Sequence, residues 1–259
     1  MIKKDFEDNG FAYIKNKNIV SYINKIKKII LSNFPNNIDY YQNLSFQSFN
    51  KLKRKSLLDI QNNIKIKFLK KKIVQNLNKD LKINDTFLTT SYLAFHTSRP
   101  INKNIDIKKE FIGFHRENFY CDYEYINHQI NVWLPIFDLE KNANLQYIPK
   151  SHKVPDHKIK VKKLKNFLIK KNSDAHFLGG VYAPKKITQG VNLSKAKSFN
   201  VPKNNYLIFS SRLIHGNGIN YSKNIRYTIA MGFIPKKKFF GKKVIDIKSR
   251  SKLPHYVTF

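Results

Sequence analysis

Cysteine is nearly absent from this chain, and its scarcity excludes two kinds of site. The 259 residues contain a single cysteine, Cys121, so neither an intramolecular disulfide nor a zinc cluster built on several thiolates can form. One lone thiol fits a reducing compartment, where structural disulfides are rare. Any metal site therefore has to use other ligands.

Long apolar runs are missing as well. The N-terminal stretch MIKKDFEDNGFAYIKNKN carries charges but has no apolar run long enough for a signal peptide. No segment approaches the roughly 18 consecutive apolar residues of a membrane span. We therefore expect a cytoplasmic protein without a membrane-spanning segment.

Acidic residues and arginines are both few. Lysine and arginine number 49 against 17 aspartates and glutamates, which gives a formal net charge of +32. Only six of the basic residues are arginine, whereas nucleic-acid sites depend on bidentate guanidinium contacts, so no nucleic-acid partner is expected. The scattered lysines, accompanied by much asparagine and isoleucine, are typical of a nucleotide-composition bias. The alternative is attraction to an anionic substrate, a lipid surface or a protein partner.

Hydrophobic periodicity divides the chain into a helical front and a strand-rich remainder. The front is predicted to hold a short strand over 10–14, a helix from about 18 to 35, a loop over 36–50 and a helical region over about 51–80. From Thr86 the period becomes alternating. Seven strands are predicted there: 87–96, 112–119, 127–137, 145–149, 176–182, 205–210 and 224–234.

This order of elements predicts a mainly β protein in which N-terminal helices brace a sandwich or barrel. At this length a single domain over 1–259 is the default expectation. It would comprise a mainly helical support over 1–85, a strand-rich core over 86–240 and a C-terminal tail over 241–259.

The chemically most informative stretch is FHRENFYCDYEYINHQINVWLPIFD, residues 114–138. It begins with His115 and Glu117, and in an extended chain residues two apart point to the same face. A third ligand would complete one face of a divalent metal, and His215 is the candidate. An apolar strand ends shortly before His215, and Gly216-Asn217-Gly218 predicts a turn just after it. The remaining histidines are interpreted as ordinary core or surface residues: His96, His128, His152, His157, His176 and His255.

The strand predicted over 224–234 has two unlike faces. The first face is small and polar apart from one cation, and it carries Arg226, Thr228, Ala230 and Gly232. The second face is bulky and is expected to pack on helices. A buried arginine needs an anion because an unpaired buried charge is very costly. That anion could be a protein carboxylate or the carboxylate of a ligand.

The set His115-x-Glu117, His215 and, eleven positions later, Arg226 resembles the Fe(II)/2-oxoglutarate dioxygenases, and most closely the phytanoyl-CoA dioxygenase superfamily. The run LQYIPKSHK at 145–153 and the series HGNGINYSKNIR from His215 are similar to that superfamily too. The resemblance covers about residues 90–235. Among the branches, the sequence is most similar to bacterial members found in carbohydrate or surface-polysaccharide gene clusters.

The resemblance implies a double-stranded β-helix core, a jelly roll of the cupin type, braced by α-helices. His115, Glu117 and His215 would bind Fe(II) and leave three positions for 2-oxoglutarate and O2. Arg226 would hold the far carboxylate of 2-oxoglutarate. The implied reaction is hydroxylation of a small metabolite or sugar-derived substrate, with release of succinate and CO2. Four further residues would line the co-substrate pocket: Asn131, Trp133, Asn217 and Thr228.

Two positions depart from the superfamily pattern. Glu117 stands where aspartate is commoner, so the carboxylate lies one methylene further from the backbone. Lys150 replaces the usual glycine of the LQYIPKSHK run. The carboxylate of Glu117 argues against halogenation, because related halogenating enzymes need a small residue at that position to admit halide.

The segment after Glu117 is rich in tyrosine. Tyr120, Tyr123 and Tyr125, with two acids among them, could form a polar aromatic wall for a hydroxylated substrate such as a sugar. Alternatively, these tyrosines pack at the base of a loop. A rival interpretation of the whole chain is a catalytically inactive jelly-roll module that binds an anionic ligand or a polysaccharide.

Overall fold

The computed structural model describes residues 1–90, 93–102, 105, 113–119, 124–140, 143–163, 185–238 and 256–258. Within those residues five helices are found: α1 (Ile2–Asn9), α2 (Val20–Asn33), α3 (Ile38–Asn43), α4 (Phe46–Asn63) and α5 (Ile66–Leu81). The strands are β1 (Phe11–Lys15), β2 (Phe87–Thr90), β3 (Ala94–Ser98), β4 (Ile130–Pro135), β5 (Leu145–Tyr147), β6 (Lys160–Lys163), β7 (Lys185–Gln189), β8 (Lys197–Ser198), β9 (Asn205–Ser210), β10 (His215–Asn217), β11 (Arg226–Pro235) and β12 (Tyr256–Thr258).

The described strands form three antiparallel groups. The largest sheet has the order β1-β9-β4-β11-β2-β12, and β3 also pairs with β11. A smaller sheet has the order β10-β5-β8, and β6 pairs with β7 as a two-stranded ribbon. The protein is therefore a mixture of helices and antiparallel sheets, with the helices concentrated in the first third of the chain.

The helices cover one face of the large sheet. Each helix that packs there presents an apolar stripe at helical spacing, such as Ile23, Ile26 and Ile30 in α2. These side chains share one buried cluster with Val132 of β4 and Ile208 of β9. The bulky face predicted for β11 packs into the same cluster, which confirms that prediction: Ile225, Tyr227, Ile229, Met231 and Phe233.

The loop predicted over 36–50 is wrong. Asn37 caps α3, since its side chain accepts a hydrogen bond from the backbone N–H of Tyr40 at 3.0 Å. Ser45 caps α4 in the same way, with the N–H of Ser48 at 3.1 Å. Two local caps thus start helices in a stretch whose apolar residues show no clear period. The helical region predicted over 51–80 is two helices, α4 and α5, separated at 64–65.

The strand predictions have mixed outcomes. The strands at 10–14, 205–210 and 224–234 are confirmed by β1, β9 and β11. The strand at 112–119 is wrong over its described part, because only His115 makes a bridge there and Glu117–Phe119 is a 3-10 helix. The strand at 176–182 lies outside the described residues. None of the described helices has the length and apolar character needed to cross a membrane.

Candidate metal centre

His115 and His215 are neighbours on adjacent segments of backbone. The N–H of His115 donates to the carbonyl of His215 at 2.9 Å, and the N–H of His215 donates back at 3.1 Å. This isolated antiparallel bridge sets the two imidazole rings side by side, with their centroids 4.4 Å apart. Directly opposed residues of an antiparallel pair lie on the same face, so a hundred residues of intervening chain do not separate the two rings.

The second nitrogen of each ring has a fixed partner. Nδ1 of His115 lies 2.8 Å from the carbonyl oxygen of Gly113, and Nδ1 of His215 lies 2.9 Å from that of Leu213. A carbonyl only accepts, so each Nδ1 carries the proton and each Nε2 keeps its lone pair. Histidines that bind metals are held in this way.

Glu117 brings a carboxylate to the same point. Its backbone N–H donates to the carbonyl of Ser211 at 3.1 Å, which ties it to the segment leading into His215. Its Oε1 lies 3.4 Å from Nε2 of His215. The ligand atoms of Glu117 and the two histidines all lie within 4.8 Å of one another. The predicted trio therefore converges, although Glu117 lies at the start of a 3-10 helix and not in a strand.

The protonation states at this point suit a metal ion. Burial and the neighbouring His215 lower the pKa of His115 to about 4, against the opposing effects of Glu117 and the bond to Gly113. Burial would raise the pKa of Glu117, but the two neighbouring histidines, His215 above all, lower it below its ordinary value. At neutral pH the site thus offers a neutral imidazole at His115 and an ionised carboxylate, as coordination requires.

The LQYIPKSHK run and the residues just after it make hydrogen bonds to residues next to the proposed ligands. The Ser151 hydroxyl accepts a hydrogen bond from the backbone N–H of Ile214, next to His215, at 2.8 Å. The fully buried guanidinium of Arg116 pairs with Asp156 and donates to the carbonyl of Val154 at 2.8 Å. These three contacts were not predicted from sequence, since only tertiary proximity creates them. Lys150 has a φ of 57°, a left-handed conformation that explains why glycine is usual there.

Arg226 lies on the inner face of the large sheet, the face turned away from the helices. Its side chain is 3% exposed, and Nη1 donates to the carbonyl of Ala143 at 2.7 Å. Its guanidinium carbon is 6.0 Å from the ring centroid of Trp133. Burial lowers the pKa of Arg226 to about 10, so it stays cationic at neutral pH. No carboxylate among the described residues pairs with it, and its buried Nε has no hydrogen-bond partner there.

Other predicted pocket residues lie on the same inner face. Asn131 and Trp133 of β4 are directly opposite Gly232 and Ala230 of β11. Asn131 accepts a hydrogen bond from Gln129 at 2.6 Å, whereas its buried Nδ2 finds no partner in the described part of the chain. Thr228 is buried two residues beyond Arg226 on the same strand.

The remaining predicted residues are less informative. The turn predicted at Gly216-Asn217-Gly218 is wrong at its start, since Asn217 still belongs to β10 and is paired with Leu145. Tyr120 and Tyr123 lie outside the described residues. Tyr125 belongs to the 3-10 helix Glu124–His128, and of Tyr125 itself only the backbone is described.

Two residues near Arg226 were not predicted. Asn220 donates at 2.8 Å both to the carbonyl of Ser98 and to that of Asn224, and so shapes the turn that leads into Arg226. The asparagine and serine of HGNGINYSKNIR were the available signal for it. His96 of β3 lies directly opposite Thr228, and its local sequence gave no sign of this.

Comparisons with known proteins identify similar folds and a family. The structure of EvdO2 from Micromonospora carbonacea var. aurantiaca is 12% identical over 90% of this chain and 89% of its own, with a TM-score of 0.51. The epimerase SnoN, in complex with Fe3+, alpha ketoglutarate and nogalamycin RO, is 9% identical over 90% of this chain and 82% of its own, with a TM-score of 0.50. At such identities the likeness concerns the fold. No curated protein sequence matches the chain. A family model described as Phytanoyl-CoA dioxygenase (PhyH) matches residues 6–228.

Proposed function

Because the chain belongs to the phytanoyl-CoA dioxygenase (PhyH) family, we propose that it is a non-haem Fe(II)- and 2-oxoglutarate-dependent dioxygenase. It would hydroxylate a small metabolite or sugar-derived substrate, with release of succinate and CO2. The observation that carries this proposal is the convergence of the ligand atoms of His115, Glu117 and His215 within 4.8 Å. Two imidazoles and one carboxylate form the facial triad of non-haem iron oxygenases.

The donor set fits Fe(II). Iron bound there would activate O2 while 2-oxoglutarate is oxidatively decarboxylated. The chain contributes orientation, because the carbonyls of Gly113 and Leu213 hold each Nε2 toward the shared point. The chain also excludes water from one side of the proposed iron site, since the ring of Phe209 lies 4.5 Å from that of His215.

Arg226 is proposed to anchor the distal carboxylate of 2-oxoglutarate. A buried cation without a described carboxylate partner calls for a ligand that supplies one. The buried Nε of Arg226 and the buried Nδ2 of Asn131 are two donors without described partners on the same face. Unsatisfied buried donors are costly. A dicarboxylate bound between them would pair with the guanidinium charge and accept hydrogen bonds from both donors.

The glutamate in place of aspartate is compatible with this role. The Oε1 of Glu117 already lies 3.4 Å from Nε2 of His215, so the longer side chain reaches the shared point. A carboxylate there fills the position that halide would need, which favours hydroxylation over halogenation.

We also propose that the core is a double-stranded β-helix within one domain over 1–259, with its support over 1–85, its core over 86–240 and a tail over 241–259. A buried apolar cluster supports the first point, because it joins the large sheet to the small one. Trp133, Leu207 and Phe209 come from the large sheet and Leu145 from the small one. The helices share a cluster with the large sheet, as one domain requires.

The proposed class of substrate is based on the side chains near the site and on a protein of similar fold. The SnoN structure holds nogalamycin RO, a small molecule. Tyr120, Tyr123 and Tyr125 remain the proposed substrate-facing residues, with hydroxyls suited to a sugar. Asn217 and Thr228 remain proposed pocket residues.

Anaerobic titration tests the proposal. Wild-type protein with Fe(II) and 2-oxoglutarate should develop the weak visible band of the iron chelate, and then form succinate when O2 is admitted. The His115→Ala variant should do neither, whereas a matched control, His157→Ala at an exposed position, should do both. A wild-type protein that gives no band and no succinate would instead support the inactive binding module.

A further inference from the structure

We infer that His96 is a second binding residue for 2-oxoglutarate, donating a hydrogen bond to the distal carboxylate beside Arg226. This inference rests on the proposed function. It adds a contact that comes from β3, a strand that carries none of the metal ligands.

The register between β3 and β11 places the His96 side chain. His96 is directly opposite Thr228, and Ser98 is directly opposite Arg226. Directly opposed residues of an antiparallel pair point to the same face, with Cβ atoms about 5 Å apart. Phe95, which alternates with His96, lies in the cluster shared with the helices. His96 therefore points to the inner face, beside Thr228 and Arg226.

Electrostatics agree with this position of the ring. Besides burial, the charges of Lys53, Arg226 and His115 lower the pKa of His96, and that of Glu117 raises it. The ring is thus within electrostatic reach of two proposed metal ligands and of the cation on β11. A 2-oxoglutarate molecule that chelates iron and reaches Arg226 would bind near this ring.

The ring is available as a neutral donor. Burial, followed by the charges of Lys53 and Arg226, lowers the pKa of His96 to about 3. A neutral imidazole has one N–H to donate. No hydrogen bond links the ring to any side chain or carbonyl in the described ranges; the hydroxyl of Thr228 donates at 3.4 Å to the backbone carbonyl of His96 and not to its ring. A donor on the same inner face as a buried guanidinium is well placed for a carboxylate oxygen.

The test compares two co-substrates that differ only at the proposed contact. 2-Oxopentanoate chelates iron through the same keto acid but ends in a methyl group where 2-oxoglutarate carries its distal carboxylate. Anaerobic titration of the Fe(II) protein, followed by the visible chelate band, gives a Kd for each. We expect His96→Ala to raise the Kd for 2-oxoglutarate about tenfold, because a hydrogen bond to a charged group is lost. The same variant should leave the Kd for 2-oxopentanoate and for Fe(II) unchanged.

Further variants separate binding from folding. His96→Gln keeps an N–H donor and should recover part of the affinity for 2-oxoglutarate, whereas His96→Phe keeps the ring volume and should not. The exposed control His157→Ala should behave as the wild type does.

Each other outcome overturns the inference. Equal weakening of both co-substrates by His96→Ala would mean a structural role alone, and an unchanged Kd with a raised KM for the substrate would place the contact there instead. Either result would leave the proposed function standing. A wild-type protein that forms no chelate would remove the proposed function and this inference together.

Discussion

The hydroxyl of Ser151 and the backbone N–H of Ile214 are joined by a buried hydrogen bond of 2.8 Å, one residue before the ligand His215. Removing the hydroxyl would leave a buried N–H unsatisfied, which costs about 1–3 kcal/mol. We expect Ser151→Ala to lower the free energy of unfolding by that amount in urea denaturation. Ser32→Ala, which removes an exposed hydroxyl, is the matched control and should change it by less than about 0.5 kcal/mol. Equal effects of Ser151→Ala and Ser32→Ala would show that the buried hydrogen bond adds no more stability than an exposed one.

The length of the Glu117 side chain should determine iron affinity. Aspartate keeps the charge but withdraws the carboxylate by one methylene from the point it shares with His215. We expect Glu117→Asp to weaken Fe(II) binding at least about tenfold, the lower end of the effect of disturbing ligand orientation. Competition with a chromophoric chelator under anaerobic conditions measures this, with the exposed Glu7→Asp as control. Unchanged or tighter binding in Glu117→Asp would contradict the expectation.

Arg226 should determine the preference between co-substrates. In Arg226→Met the cation is lost while most of the side-chain volume stays, so the distal carboxylate of 2-oxoglutarate loses its partner. We expect the variant to bind 2-oxoglutarate at least about tenfold more weakly than the wild type does, and to lose most of its preference for 2-oxoglutarate over 2-oxopentanoate. Arg226→Lys should fall between the two proteins, since an ammonium offers no bidentate contact. A variant that still prefers 2-oxoglutarate as the wild type does would remove Arg226 from the proposed pocket.

Lys70 in α5 should make the free energy of unfolding increase with pH in the alkaline range. Burial, at 1% exposure, lowers its pKa to about 7 from 10.5. Between these values the unfolded chain binds a proton that the folded chain does not, so stability rises as pH increases from about 7 to 10.5. We expect Lys70→Met to flatten this rise and to increase the stability at pH 7 by on the order of a few kcal/mol. Denaturant unfolding at several pH values measures both, with the exposed Lys71→Met as control.

The convergence of the proposed metal ligands could be predicted from sequence, whereas the contacts that support them could not. His115 and Glu117 are two positions apart in the chain, and His215 follows an apolar strand, so the local pattern was sufficient to predict them. The position of His96 near Arg226 was not predicted, because its partner Thr228 is 132 positions away. Local sequence does not encode the register between distant strands. Helix α3 and the start of α4 were missed for a different reason. Their starts depend on the single capping side chains of Asn37 and Ser45, which weigh little against an irregular apolar pattern.

The position of Trp133 gives the protein an internal optical probe. It is the only tryptophan in the sequence, and its ring is 6.0 Å from the guanidinium carbon of Arg226. A cation near an indole ring perturbs its excited state, and a carboxylate that pairs with that cation changes the perturbation. The intrinsic fluorescence of the unmodified chain should therefore report occupancy of the Arg226 end of the pocket even without iron. Ligands can then be screened by emission alone, without a turnover assay.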